Sequence, residues 1–269
     1  MTALRFQVLA PGRSEPRHLR AMVSTFVESG SRRGAHHDNV KPFTVQPPVQ
    51  LPDGFAVLVS TLDDRAQQEL SRSCSRADGQ QLQLGHMTVG FDDQPTEPVE
   101  AATYQQLLDQ AVDHPTVPLQ LRSPMVFRSG RRDQTPFPLP RQVFGHYRTR
   151  WNRFAPPELH CDLAFDDLGL QVQSMEGRTE RYADAHQRNG RRIDLEFVGF
   201  VGHVEFRVTG RGATPSARRW LHALASLGAY CGTGANTTIG MGATRYLGDR
   251  AAAGNGGRTA VEDTTARQR

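Results

Sequence analysis

The sequence predicts an α+β protein with a polar tail, and three features carry that prediction. Apolar runs of strand length alternate with amphipathic stretches of helical period, and neither type dominates. The first series of such runs, residues 3–91, places two helical stretches among strand-like ones. At the other end, residues 229–246 (AYCGTGANTTIGMGATRY) set Gly232, Gly234, Gly240 and Gly242 between a helical stretch and a strand-like one.

Residues 3–10 (ALRFQVLA) read as a strand and residues 17–29 as a helix, with Leu19, Met22, Val23, Phe26 and Val27 on one side. Residues 30–39 (GSRRGAHHDN) form a polar loop, and KPFTV, residues 41–45, is a short strand stopped by Pro47 and Pro48. FAVLVSTL at 55–62 has the look of a buried strand, and 63–74 is a helix with acidic residues in its first turn. LQLGHMTVGF at 82–91 completes the order β-α-β-β-α-β, that of a ferredoxin-like (RRM-like) unit. His86 lies within this last strand and carries no mark of catalysis.

A second unit follows. Residues 103–112 read as a helix, 117–130 as a strand and 131–140 (RRDQTPFPLP) as a proline-rich turn. The stretch 141–154 sets Phe144, Tyr147, Trp151 and Phe154 at helical spacing, which is a core stripe rather than a base-stacking platform. Residues 156–195 are charged and loop-like. In the strand at 198–208, Val204, Phe206 and Val208 alternate with Glu205 and Arg207. Thr214-Pro215 supplies an N-cap and first-turn proline for a helix over 215–227, with Trp220, Leu221, Leu224 and Leu227 as its apolar stripe and Gly228 as its stop. His203 and His222, in a strand and a helix, read as structural. Residues 248–269 lack apolar periodicity and are expected to be a disordered tail.

Composition narrows the function classes. The chain is 37% hydrophobic, enough for a packed core, yet has no apolar run long enough to span a bilayer. Its start, MTALRFQVLAPG, lacks the pattern of a signal peptide. Cys74, Cys161 and Cys231 are too scattered for a disulfide framework or a zinc motif, so a cytoplasmic protein without metal or cofactor is expected. Net charge is +4, compatible with nucleic-acid binding. Of the 32 basic residues, all but Lys41 are arginine.

The glycine stretch fits neither common nucleotide motif. A dinucleotide-binding G-x-G-x-x-G needs glycine at 237, where Thr237 stands, and it should follow a strand and open a helix. A P-loop needs Gly-Lys-Ser/Thr, and the stretch has no lysine. What remains is a turn able to approach a phosphate backbone or another part of the protein closely.

In context, LGAYCGTGANTTIGMGATRY after VGFVGHVEF and a helix resembles the C-terminal signature of the CRISPR-associated repeat-processing endoribonucleases, the Cas six family of the RAMP superfamily. KPFTVQPP, LRSPMVFRSG, PFPLPRQVF and RTRWNRF resemble further segments of that family, in the same order, so the resemblance runs from about residue 3 to 247. It implies two ferredoxin-like domains in tandem, with the boundaries 1–115, 116–247 and a tail at 248–269. It also implies metal-independent cleavage of CRISPR precursor RNA within its repeats, leaving a 2′,3′-cyclic phosphate and a 5′-hydroxyl. The partner would be repeat RNA, with an effector complex as a further one, and the protein a monomer or homodimer.

Such cleavage needs a base for the 2′-hydroxyl, charge for the phosphorane and an acid for the 5′-oxygen. Histidine suits the proton transfers and a cation the charge. HHDNVK, residues 36–41, offers both, and the family's catalytic histidine lies in this loop. The resemblance therefore assigns the acid–base role to His37, with His36 as the alternative, and the electrostatic role to Lys41. Candidate phosphate contacts are Arg32 and Arg33 beside the histidines, and Arg128, Arg131 and Arg132 in the FRSGRRD turn. Arg141, Arg148, Arg150 and Arg153 along the aromatic helix are weaker candidates. Gly232, Gly234, Thr237, Thr238, Gly240 and Gly242 would touch the RNA backbone near the scissile phosphate. An alternative is a non-catalytic RAMP subunit that binds the processed RNA. A general RRM protein is disfavoured, because no strand carries an RNP-like motif.

Overall fold

The structure, a computed structural model, describes residues 1–12, 14–28, 40–92, 100–129, 133–188 and 191–248. His36, His37, Arg32, Arg33, Arg131, Arg132 and the tail beyond Gly248 lie outside them.

The chain is two copies of one topology. In the first, β1 (Thr2–Ala10), α1 (Pro16–Glu28), β2 (Phe43–Val45), β3 (Val49–Leu51), β4 (Gly54–Thr61), α2 (Asp64–Ala77), β5 (Gln81–Leu84) and β6 (Met87–Asp92) follow in order. Its antiparallel sheet runs β2-β4-β1-β6-β5, with β3 added on β4. After the linker helix α3 (Tyr104–Asp109) come β7 (Thr116–Met125), β8 (Phe127–Ser129), β9 (Asp133–Thr135), α4 (Pro140–Phe154), β10 (Leu170–Arg188), β11 (Arg191–Val208), α5 (Pro215–Cys231) and β12 (Thr244–Tyr246). The second sheet runs β10-β11-β7-β12, with β8 and β9 as a separate small hairpin. Taking the strands of each β-α-β-β-α-β set in order, both sheets place the second beside the third, the third beside the first and the first beside the fourth. This is the tandem ferredoxin-like architecture expected from the sequence.

Local chemistry explains the helix boundaries. Asp63 caps α2, its carboxylate accepting from Ala66 N at 2.7 Å. Thr103 and Gln106 close a reciprocal capping box on α3. Thr214 Oγ1 accepts from Ala217 N at 3.2 Å at the start of α5, where Pro215 occupies the first turn. Each sheet then buries one face. Leu4, Phe6, Val57 and Val89 meet Leu19, Val23, Phe26 and Leu70 in the first core. Val117, Leu119 and Phe206 meet Phe144, Tyr147, Trp151, Leu221 and Leu224 in the second. The aromatic stripe of α4 is core, as its spacing predicted, with Phe144, Tyr147 and Trp151 fully buried.

Several sequence expectations are corrected. The loop-like stretch 156–195 contains all of β10 and the start of β11, which pair antiparallel from Leu170↔Val208 to Arg188↔Arg191. Residues 171–179 are exposed on both faces, so they lack the apolar alternation that marks a half-buried strand. The predicted strand 82–91 is a hairpin, β5 and β6, with exposed His86 in its turn. The proline-rich turn begins with the short strand β9.

Gly228 does not stop α5, which continues to Cys231 and is capped by Gly232, whose N–H reaches Gly228 O. Gly228 serves packing instead. A Cβ on it would lie 2.7 Å from both Cζ and Oη of Tyr147, so its bare backbone is what lets α4 and α5 cross at that ring. In α4 a Cβ on Gly145 would meet open space. Gly228→Ala is expected to lower unfolding stability by about 1–3 kcal/mol through overpacking. Gly145→Ala should raise it by roughly 0.4–1 kcal/mol. Denaturant unfolding of the two variants checks this contrast.

Candidate functional site

The glycine-rich connection between α5 and β12 lies where the two sheets meet. Its 3₁₀ turn, Thr237–Ile239, packs on α1 and β2 of the first unit. From the second unit, the Tyr182 hydroxyl of β10 donates to Ile239 O. Beneath it, Ile239 and Met241 join Val126 and Phe197 in a small apolar cluster. β2 is tied to the same place, because Thr44 Oγ1 donates to Tyr230 O at 2.6 Å across a buried contact.

The connection satisfies its own polar groups. Thr233 N donates to Gly242 O at 2.8 Å and Gly242 N to Pro124 O at 3.0 Å. Ala235 N donates to Val126 O at 2.8 Å. Ser123 Oγ donates to Gly240 O at 2.7 Å while accepting from Ala243 N at 2.8 Å. Ser123 and Pro124 thus form the dock for this turn. Thr244 Oγ1 donates to Gly242 O at 2.8 Å, which fixes the direction of a buried hydroxyl chain. Thr233 donates to Thr244 at 2.6 Å, and Tyr147 donates to Thr233 at 2.6 Å. Gly242 has φ +65°, and a Cβ there would sit 1.9 Å from Thr233 O, so only glycine fits.

Gly232, Gly234, Thr237, Gly240 and Gly242 are consequently buried, and Thr238 is half-buried. The structure gives these positions a packing role at the joint, and Thr238 is the one that keeps surface toward solvent.

His146 belongs to this joint and was not singled out in the sequence. Its Nε2 donates to Gly232 O at 3.1 Å, and its Nδ1 accepts from Arg150 at 3.0 Å. With one nitrogen donating and the other accepting, the ring is neutral. Burial, and then the charge of Arg150, hold its pKa well below the ordinary histidine value. Burial likewise pushes the Cys231 thiol up to about 12, so it is inert. The available signal was the helical spacing of His146 and Arg150.

Several arginines of α4 are committed internally. Arg148 donates to Leu163 O at 2.6 Å and stacks on Phe165. Arg150 holds His146, and Arg141 pairs with Asp166 at 2.5 Å. Arg128 is exposed on β8 and remains open to a ligand.

At the edge of the joint is the base of the histidine loop. Glu28 ends α1 and Lys41 precedes β2, and Lys41 Nζ donates to Glu28 Oε1 at 2.9 Å, with side chains 10% and 5% exposed. The loop bearing Arg32, Arg33, His36 and His37 leaves and re-enters the described structure at this ion pair. Among the described residues, no group of His, Cys, Asp and Glu is arranged to hold a metal ion, and no helix is long and apolar enough to cross a membrane.

Two ferredoxin-like units thus meet at a glycine-rich turn, and the ends of a histidine-bearing loop are rooted beside it. The sequence profile of the CRISPR-associated endoribonuclease Cas6 family matches residues 119–244. Among solved structures, the chain is similar to a Cas6 (TTHA0078) product complex. The identity is 25%, the TM-score 0.69, and the match covers 91% of this chain and 98% of that one. The substrate mimic complex of the same protein matches at 25% identity and TM-score 0.64, over 91% and 98% of the two chains. Thermus thermophilus Cas6 (TTHB231) shares the fold at 21% identity and TM-score 0.60, over 91% and 97%. No curated protein matches by sequence. The chain is thus similar to the Cas6 endoribonuclease family by sequence profile over residues 119–244 and to Cas6 structures by fold over 91% of its length.

The buried neutral histidines set a pH dependence of stability. His146 and His222 both titrate below the ordinary value because of burial. The unfolded chain therefore takes up their protons first as pH falls. Their contribution is complete above the unfolded pKa, about 6.5, and is lost on acidification at up to about 1.4 kcal/mol per pH unit per histidine. Unfolding at pH 7.5 and pH 5 should show this loss. His146→Gln, which keeps a donor for Gly232 O, should reduce the slope.

Proposed function

We propose that the protein cuts CRISPR precursor RNA within the repeat without a metal ion, by attack of a 2′-hydroxyl on the adjacent phosphate. The 2′-O–P bond forms and the P–O5′ bond breaks. One proton leaves the 2′-hydroxyl and one arrives on the 5′-oxygen, giving a 2′,3′-cyclic phosphate and a 5′-hydroxyl with no water consumed. His37, or His36, is the general acid–base, since imidazole is populated in both forms near neutrality. Lys41 offsets the charge of the phosphorane.

The observation that carries this reading is the root of the histidine loop. The only lysine of the chain sits there, within five residues of two histidines and beside the joint of the two units. Similarity to the family supports RNA cleavage as the activity, and the structures matched at 25% identity are of Cas6 in product and substrate mimic complexes. Arg32, Arg33, Arg128, Arg131 and Arg132 are the proposed phosphate contacts, of which Arg128 is exposed as that role requires. In the glycine turn, Gly232, Gly234, Thr237, Gly240 and Gly242 act by shaping the surface, and Thr238 by touching the RNA backbone.

The test is cleavage of a repeat RNA in excess EDTA. Wild type is expected to remain active and to leave the cyclic phosphate. Replacing the acting histidine by alanine should slow cleavage by about 10²–10⁴-fold. Full activity of a His36→Ala/His37→Ala double variant would overturn the site, and abolition of wild-type activity by EDTA would overturn the metal-free mechanism.

A further inference from the structure

We infer that Glu28 is a positioning residue for the reaction, acting through Lys41; this rests on the role proposed above for Lys41. Glu28 occupies the last position of α1, and its carboxylate is buried against Lys41 Nζ at 2.9 Å. A buried ion pair is a poor stabilising device, because desolvation of both charges offsets much of their attraction, and a well-packed apolar pair often does as well. Its use at this point calls for another reason. The two residues are the two ends of the histidine loop, so the bond between them fixes where that loop starts and stops. It also removes the rotational freedom of a long, flexible side chain at the place where its ammonium is needed.

The choice of lysine points the same way. The chain otherwise uses arginine for every basic residue, and arginine would pair with a buried carboxylate through two parallel N–H bonds. A compact ammonium gives Glu28 Oε1 a single N–H, at 2.9 Å. Glu28 thus sets the position of a charge that acts on the phosphate, as preorganisation requires.

The experiment is single-turnover cleavage of repeat RNA by Glu28→Gln, Lys41→Ala, the double variant and the charge-swapped pair E28K/K41E, with folding followed by circular dichroism and RNA affinity by titration. Glu28→Gln is expected to slow cleavage at saturating RNA by roughly tenfold to a hundredfold, with RNA affinity changed less than about threefold. The double variant should be no slower than Lys41→Ala alone. The swapped pair restores the ion pair and is expected to fold yet stay inactive, because the ammonium is misplaced. Wild-type cleavage by Glu28→Gln beside an inactive Lys41→Ala would overturn the inference and leave the mechanism standing. Activity in the swapped pair would show a purely structural clamp and overturn it too. Wild-type cleavage by Lys41→Ala would instead remove the role of Lys41, and this inference with it.

Discussion

The buried hydroxyl chain Tyr147–Thr233–Thr244–Gly242 is what lets a glycine-rich turn sit inside this protein. A buried turn exposes no backbone to water, so each of its amides and carbonyls must find a partner in the fold. Here the carbonyls of Gly232, Ile239, Gly240 and Gly242 accept from His146, Tyr182, Ser123 and Thr244 in turn. With those partners supplied by α4, β7, β10 and β12, the turn can be pressed against α1 and β2 as a rigid body.

The ends of the histidine loop are placed by the elements in which it is rooted. α1 and β2 are the elements that the turn braces, and the histidine loop joins them. Thr44 fixes β2 to the end of α5, and Lys41 fixes the loop to α1 only three residues earlier. A shift of α5 or of the glycine turn would therefore move the loop base with it. The second unit thus sets the position of the loop's root in the first, at a distance in sequence of about two hundred residues.

The sequence revealed most of this architecture because most of its elements bury one face. The order of the first unit, the aromatic stripe of α4 and the Thr214-Pro215 cap were all legible as periodicity or capping chemistry. β10 was not, since an edge strand exposed on both faces carries no alternation, and only its ladder to β11 defines it. Gly228 misled for a related reason. Glycine at the end of an apolar run marks a helix stop or a close crossing, and the neighbour that decides between them, Tyr147, lies some eighty residues away. The glycine stretch was recognised as special, yet its burial depends on Ser123, Tyr147 and Tyr182, none of which announces a tertiary partner in sequence. His146 was passed over because its partners, Arg150 apart, are supplied by the far end of the chain.

The two copies of the topology differ in how one equivalent connection is held. The connection from first helix to second strand occurs twice. After α4 it is pinned along its length by that helix: Trp151 Nε1 donates to Leu159 O at 2.7 Å, Asn152 brackets the backbone of Cys161, and Arg148 reaches Leu163 O. Trp151 thus both fills the core and staples this connection, and Asn152 staples it further. The corresponding connection after α1 carries His36 and His37, and it is fastened at its base by Glu28 and Lys41. One fold thus solves two problems with one loop position. A stapled loop closes the core of the second unit, where rigidity is wanted. In the first, the corresponding loop is held at its root by a charged clamp.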